Sequence, residues 1–131
     1  MVMIMAHGLI PNGQLVIQTV AMPADTNMNG DIFGGWLVSH MDMGAGIAAR
    51  RRAKSRVVTV AIDNLTIIQP VYVGDTISCY AQLIKVGRTS LQFKIEVWVL
   101  RFQDQDQSRV AEGFFTLVAI NENRKPHPVD R

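Results

Sequence analysis

The stretch Asn29-Gly30-Asp31-Ile32-Phe33-Gly34-Gly35-Trp36-Leu37-Val38-Ser39-His40-Met41-Asp42-Met43-Gly44 sets a Gly-rich turn, a helix start and a single carboxylate in one row. Asn, Gly and Asp tolerate unusual backbone angles or bond to nearby amides, so Asn29, Gly30 and Asp31 read as a turn. From Phe33 onward the apolar residues keep helical spacing, which predicts a helix from about Phe33 to Arg52. At about 100° per residue, Leu37, Met41, Gly44, Ala45 and Ala48 share a face expected to be core. Gly35, Ser39, Asp42, Gly46 and Ala49 share a neighbouring face expected to line a cleft. Gly44 and Gly46 each weaken a helix by about 1 kcal/mol relative to Ala, so a close approach to the helix is expected at both.

The first turn of a helix leaves amide N–H groups unpaired and carries partial positive charge. Gly34 and Gly35 have no side chains to shield those amides, so a carbonyl oxygen that develops negative charge has room to bind there. Each such donor contributes about 10²–10³ in rate. Asp42, in an aliphatic setting with Met41 and Met43 beside it, is a candidate general base toward water or a candidate nucleophile. Gly35 and Asp42 stand seven residues apart, which is about 10 Å along one helix. That is too far for both to touch one reacting carbon. If both act on the same carbonyl, the carboxylate comes from a second copy of the helix, and an obligate dimer with an interface site is expected. The plain alternative is a tight glycine turn followed by a solvated or ion-paired acid.

Around the helix the chain reads as strands. Leu15 to Met22 alternates and is ended by Pro23. Val57 to Ile68 is a long β-branched run whose alternation shifts near Asp63 and Asn64, which predicts a bulge. Gln69 to Asp75 reads as a turn. Thr76 to Val86 and Thr89 to Phe102 follow, joined by Gly87-Arg88. In the second of these Leu91, Phe93, Ile95, Val97 and Val99 are expected to be buried, with Gln92, Lys94 and Glu96 wet. Trp98 and Leu100 on the wet side suggest a subunit or sheet contact. Gln103 to Ser108 is a polar turn, and Arg109 to Asn121 is the last strand, with Gly113 allowing a bulge or close approach. The expected class is α+β, an antiparallel sheet curled around one long central helix, with an edge left to pair with a second subunit.

The chain has 131 residues, 48% hydrophobic and 18% charged, with a formal net charge of +2. This fits one domain, with a core over about 15–121 and a loose tail over 122–131. No apolar run approaches the roughly 20 residues of a membrane span, and Met1 to Gly13 lacks a secretory pattern. A cytoplasmic protein is expected, with neither nucleic acid nor membrane as partner. The one cysteine, Cys79, reads as a small core residue. His7, His40 and His127 show no metal-ligand spacing, so no metal is expected. Arg50, Arg51, Arg52, Lys54 and Arg56 place five of the thirteen basic residues within seven positions. They read either as a solvated helix C-terminus that complements the helix dipole or as a phosphate-docking patch.

Taken together, Ala21-Met22-Pro23, Asp25-Thr26-Asn27, Asn29 to Trp36, Met41-Asp42-Met43, Pro70 to Asp75 and Lys85-Val86-Gly87-Arg88-Thr89-Ser90 resemble the YciA-type acyl-CoA thioesterases. These are hotdog-fold enzymes related to the brain-type cytosolic acyl-CoA hydrolases, and the resemblance spans about residues 15 to 121. It implies a hotdog homodimer, further assembled as a trimer of dimers, that hydrolyses acyl-CoA to free acid and CoA without a cofactor. It also implies Asp42 as the catalytic carboxylate and Gly34 and Gly35 as the groups that polarise the thioester carbonyl. Asn29 or Asp31 is implied to assist from the facing subunit. Lys85, Gly87, Arg88, Thr89 and Ser90 fit contacts to the CoA phosphates, with Arg56 in the basic cluster as a further candidate. A non-catalytic acyl-CoA-binding protein of the same fold is the alternative. A hydratase is disfavoured by the absence of a His paired with the helix carboxylate.

Overall fold

A computed structural model describes residues 10–101, 103–104 and 106–131. The N-terminal stretch before Ile10, with His7, as well as Phe102 and Gln105, lies outside the described residues. Five strands, β1 (Gln14–Val20), β2 (Arg56–Ile67), β3 (Thr76–Val86), β4 (Ser90–Leu100) and β5 (Ser108–Ile120), form one sheet in the order β1-β3-β4-β5-β2. All four strand pairs are antiparallel. One helix, α1 (Gly34–Ala53), lies across the sheet and packs against every strand. This is the hotdog arrangement expected from the sequence.

The helix starts after Phe33, whose backbone is extended, and ends where Lys54 turns left-handed at φ 55°. Its core line is Leu37, Met41, Ala45, Ala49 and Ala53, all buried. Ala49 therefore belongs to the core and not to a cleft face. Gly44 does admit a close approach: a β-carbon there would lie 3.0 Å from Val16 Cγ2. Among the described residues, nothing beyond the helix's own backbone comes within 4 Å of the corresponding point at Gly46, so the approach expected there is not made by them.

The bulge expected in β2 is present. Register with β5 shifts between Asp63 and Thr66, and Asn64 adopts φ 51°. Gly113 lies beneath it, where a β-carbon would sit 2.9 Å from Leu65 Cδ1. A second shift, between Thr59 and Ala61, was not foreseen.

Two further expectations are corrected. Glu96 and Trp98 face away from the helix, yet they are 0% and 2% exposed. Asn12 crosses above them and donates to Glu96 from its backbone amide (3.3 Å) and from Nδ2 (3.2 Å), while Trp98 Nε1 donates at 2.8 Å. Burial works to raise the Glu96 carboxyl, but these hydrogen bonds and the Lys94 ammonium outweigh it and hold Glu96 below its ordinary range. Residues 122–131 are not loose either. Val129 is buried and its amide donates to the Arg88 carbonyl (2.9 Å), Asp130 pairs with Arg52 (2.7 Å), and Arg131 Nη2 donates to the Ala53 carbonyl (3.1 Å). The tail thereby satisfies a carbonyl that the helix end leaves open.

Candidate active site

The segment leading into α1 is shaped by Asn27. Its Oδ1 accepts from the amides of Asn29 (2.9 Å) and Asp31 (3.2 Å), and its carbonyl accepts from Gly30 (3.0 Å). An Asn side chain that mimics a backbone acceptor in this way closes a local turn. The Ile32 amide then donates to the Val71 carbonyl (3.0 Å) and the Phe33 amide to the Asp25 carbonyl (3.2 Å). Nothing in the sequence singles out Asn27 for this, since its role is to accept from the amides of Asn29 and Asp31 once the turn has closed.

These anchors fix the helix tip. Among the described residues, none accepts a hydrogen bond from the Gly34 or Gly35 amide, so the two N–H groups remain available at the positive end of the helix dipole. Ile67 and the Phe33 ring border them: β-carbons at Gly34 and Gly35 would lie 3.0 Å from Ile67 Cδ1 and 3.4 Å from Phe33 ring carbons. The result is a polar spot with an apolar rim.

Asp42 lies two turns further along. Met41 on one side is buried and Met43 on the other is 55% exposed, so neither encloses it. Its partner is Thr59 on β2, whose hydroxyl donates to Asp42 Oδ1 at 2.6 Å. Thr59 was not foreseen; a Thr inside a β-branched run gives no sign of its role until the strand is laid beside the helix. The hydrogen bond orients one carboxylate oxygen and leaves the other free to work.

Asp42 and the tip glycines stay about 10 Å apart along α1. A cleft of about 420 Å³ lies on the opposite side of the helix, bordered by Gln14, Ala48, Arg51, Arg52, Leu83 and Phe93. Beside Asp42, in contrast, β2 is an open edge that exposes Val60, Ile62, Leu65 and Ile67.

The phosphate-binding candidates gather at the other pole. The Gly87 amide donates to the Ser90 carbonyl (2.8 Å), the Ala119 amide to the Thr89 carbonyl (2.9 Å), and Ala119 pairs with Val57, next to Arg56. Lys85, Arg88 and Arg56 are exposed there. With α1 20 residues long, this pole lies about 30 Å from the tip of the same helix. Among the described residues, no three His, Cys, Asp or Glu side chains converge as metal ligands.

A long helix cradled by an antiparallel sheet, with bare amides at its tip and one carboxylate on its flank, is the hotdog architecture. The chain belongs to the thioesterase superfamily, whose family model matches residues 29–101, more than half its length. It is 48% identical over 122 residues to the acyl-CoA thioester hydrolase YciA of Salmonella typhimurium strain LT2, covering 91% of this chain and 92% of that one. The hexameric thioesterase y2039 of Yersinia pestis superposes with a TM-score of 0.89 at 51% identity, covering 93% and 99%. Cj0915 of Campylobacter jejuni, a hexameric hotdog fold thioesterase, gives 0.84 at 39% identity, covering 88% and 90%.

Proposed function

We propose that this chain is an acyl-CoA thioester hydrolase whose site is shared between two copies. The observation that carries the reading is the pairing of an oriented carboxylate, Asp42 with its Thr59 hydroxyl at 2.6 Å, with two unpartnered amides on the same helix but beyond joint reach. Two-fold pairing along the open β2 edge would run the two helices in opposite directions and bring the tip of one toward Asp42 of the other. The apolar side chains exposed on β2 support that pairing, since an uncovered apolar edge invites a second strand.

In this reading the thioester oxygen accepts hydrogen bonds from the Gly34 and Gly35 amides of one copy, which hold the charge that develops as the carbonyl carbon becomes tetrahedral. Asp42 of the other copy removes a proton from the attacking water, the tetrahedral intermediate collapses with cleavage of the C–S bond, and the expelled CoA thiolate takes up that proton; or Asp42 attacks first, expels CoA thiolate to form an anhydride, and water opens the anhydride while its proton passes to the thiolate. Single turnover in ¹⁸O-water distinguishes the two, because label enters Asp42 only through the anhydride. Asn29 and Asp31 stand in the loop ahead of the tip, and one of them assists. The Lys85 to Ser90 turn, with Arg56, offers cations and amides for the CoA phosphates. The enzyme so read is cytoplasmic, needs no cofactor and assembles as a trimer of dimers, as its hexameric neighbours suggest.

The test is release of free thiol from acetyl-, hexanoyl- and palmitoyl-CoA, with Asp42→Ala as control. Loss of hydrolysis by at least about 10³-fold in the variant is expected. Binding of acyl-CoA without any thiol release by the parent chain would favour the non-catalytic alternative.

A further inference from the structure

The turn between β2 and β3 is held more firmly than a surface connection needs. Asp75 is 4% exposed; its Oδ2 accepts from the Tyr72 amide (2.9 Å) and lies 3.5 Å from Arg101 Nε. Arg101, at the end of β4, also donates from Nη2 to the Pro70 carbonyl (2.7 Å), and its guanidinium lies 5.2 Å from the centre of the Tyr72 ring. One guanidinium thus holds both limbs of the turn, by a hydrogen bond to Pro70 and by charge attraction to Asp75. Tyr72 and Val73 are each 45% exposed, so apart from Val71 the turn is fixed by this polar latch more than by packing.

What the turn touches gives the latch its meaning. The Ala21 amide donates to the Asp75 carbonyl (3.0 Å) and the Gly74 amide to the Ala21 carbonyl (2.9 Å), which ties in the chain just after β1. The Val71 carbonyl accepts from Ile32, two residues before Gly34, and both residues are buried, at 1% and 6% exposed. Just ahead of the turn, Ile67 packs against Gly34. The polypeptide between Ile67 and Asp75 therefore underlies the helix tip from two sides.

We propose that Asp75 and Arg101 are positioning residues that lock the β2–β3 turn and, through the Val71 carbonyl and Ile32, fix the direction in which the Gly34 and Gly35 amides point. The inference rests on reading those amides as the carbonyl-binding tip. Donors of this kind act only when correctly placed, and a misplacement of about 1 Å costs on the order of 10²-fold. Lysine in place of Arg101 keeps the charge but makes a single point contact in place of the planar guanidinium.

The test compares kcat and KM for hexanoyl-CoA, together with thermal unfolding, in the full-length parent, Arg101→Lys, Asp75→Asn and Asp42→Ala. Arg101→Lys is expected to stay folded, to lose about tenfold in kcat and to keep KM within about twofold, the pattern of an interaction realised in the transition state. Asp75→Asn retains an acceptor for the Tyr72 amide and is expected to lose less kcat, again at near-constant KM. A merely structural role would lower the unfolding temperature and leave kcat of the folded variants at the parental level, which overturns the proposal, as does a rise in KM at constant kcat. Should Arg101→Lys fail to fold, Asp75→Asn decides by the same criterion. Inactive Asp42→Ala beside fully active Arg101→Lys and Asp75→Asn defeats the positioning role alone; fully active Asp42→Ala defeats the site reading and the inference with it.

Discussion

Thr59 and Glu96 show how much a single side chain's partner decides. The Thr59 hydroxyl holds one oxygen of Asp42 at 2.6 Å; Thr59→Val keeps the volume, frees the carboxylate to rotate, and is expected to lower kcat about tenfold with KM nearly unchanged. Parental kcat in that variant would show the bond to be incidental. Glu96 is a buried carboxylate held ionised by Asn12, Trp98 and Lys94, with its folded pKa below the ordinary 4.5. Its contribution to stability is therefore present above about pH 4.5 and lost as pH falls through the lower, folded value. Glu96→Gln is expected to destabilise by about 2 kcal/mol at neutral pH, and the gap between variant and parent should narrow at an acidic pH below the ordinary 4.5. Urea midpoints at the two pH values check this, and a gap independent of pH would contradict it. Neither residue was legible as a contact in the sequence: Thr59 meets a helix residue 17 positions away and Glu96 is covered from 84 positions away.

At the level of elements, periodicity carried most of the information. The buried row Leu91, Phe93, Ile95, Val97 and Val99 alternates as expected, and the Asp63 and Asn64 bulge falls where parity breaks. The helix ends lie within a residue of those expected, and Leu37, Met41, Gly44 and Ala45 are buried as expected, while Ala48 is half-buried and Ala49 joins the core. Contact follows the four-residue row from Leu37 to Ala53, because a helix laid on a twisted sheet meets it along an inclined ridge and not along a straight stripe. Ala49 was lost to the core for that reason. The helix end offers an element-scale test. Lys54 takes the left-handed conformation at φ 55° and is exposed, a geometry that suits glycine at less cost than a side chain. Lys54→Gly is expected to stabilise by up to about 1 kcal/mol. A lower urea midpoint in that variant would mean that the Lys54 side chain makes contacts worth more than the strain.

Across the whole molecule, the groups of interest gather at two poles and along one edge. The helix tip lies at one pole, the basic cluster with the Lys85 to Ser90 turn and the docked tail at the other, and the open β2 edge runs beside Asp42. The tail's docking was beyond the sequence, because Asp130 and Arg131 find their partners about the helix end 78 positions earlier. The proposed second copy, in contrast, rests on the rise of a helix once both groups are read as acting on one carbonyl. Complementation measures it most directly. Asp42→Ala is one inactive partner. The other is Gly34→Pro, which deletes a tip amide at a position where proline is tolerated and where the preceding Phe33 is already extended. When the two inactive proteins are dissociated, mixed and reassembled, a mixed pair contains one site with an intact tip from one copy and an intact acid from the other. Recovery of about a quarter of the parental hydrolysis, from half the pairs being mixed with one good site in two, is the result predicted. Mixed pairs that form and remain as inactive as either variant would contradict a shared site.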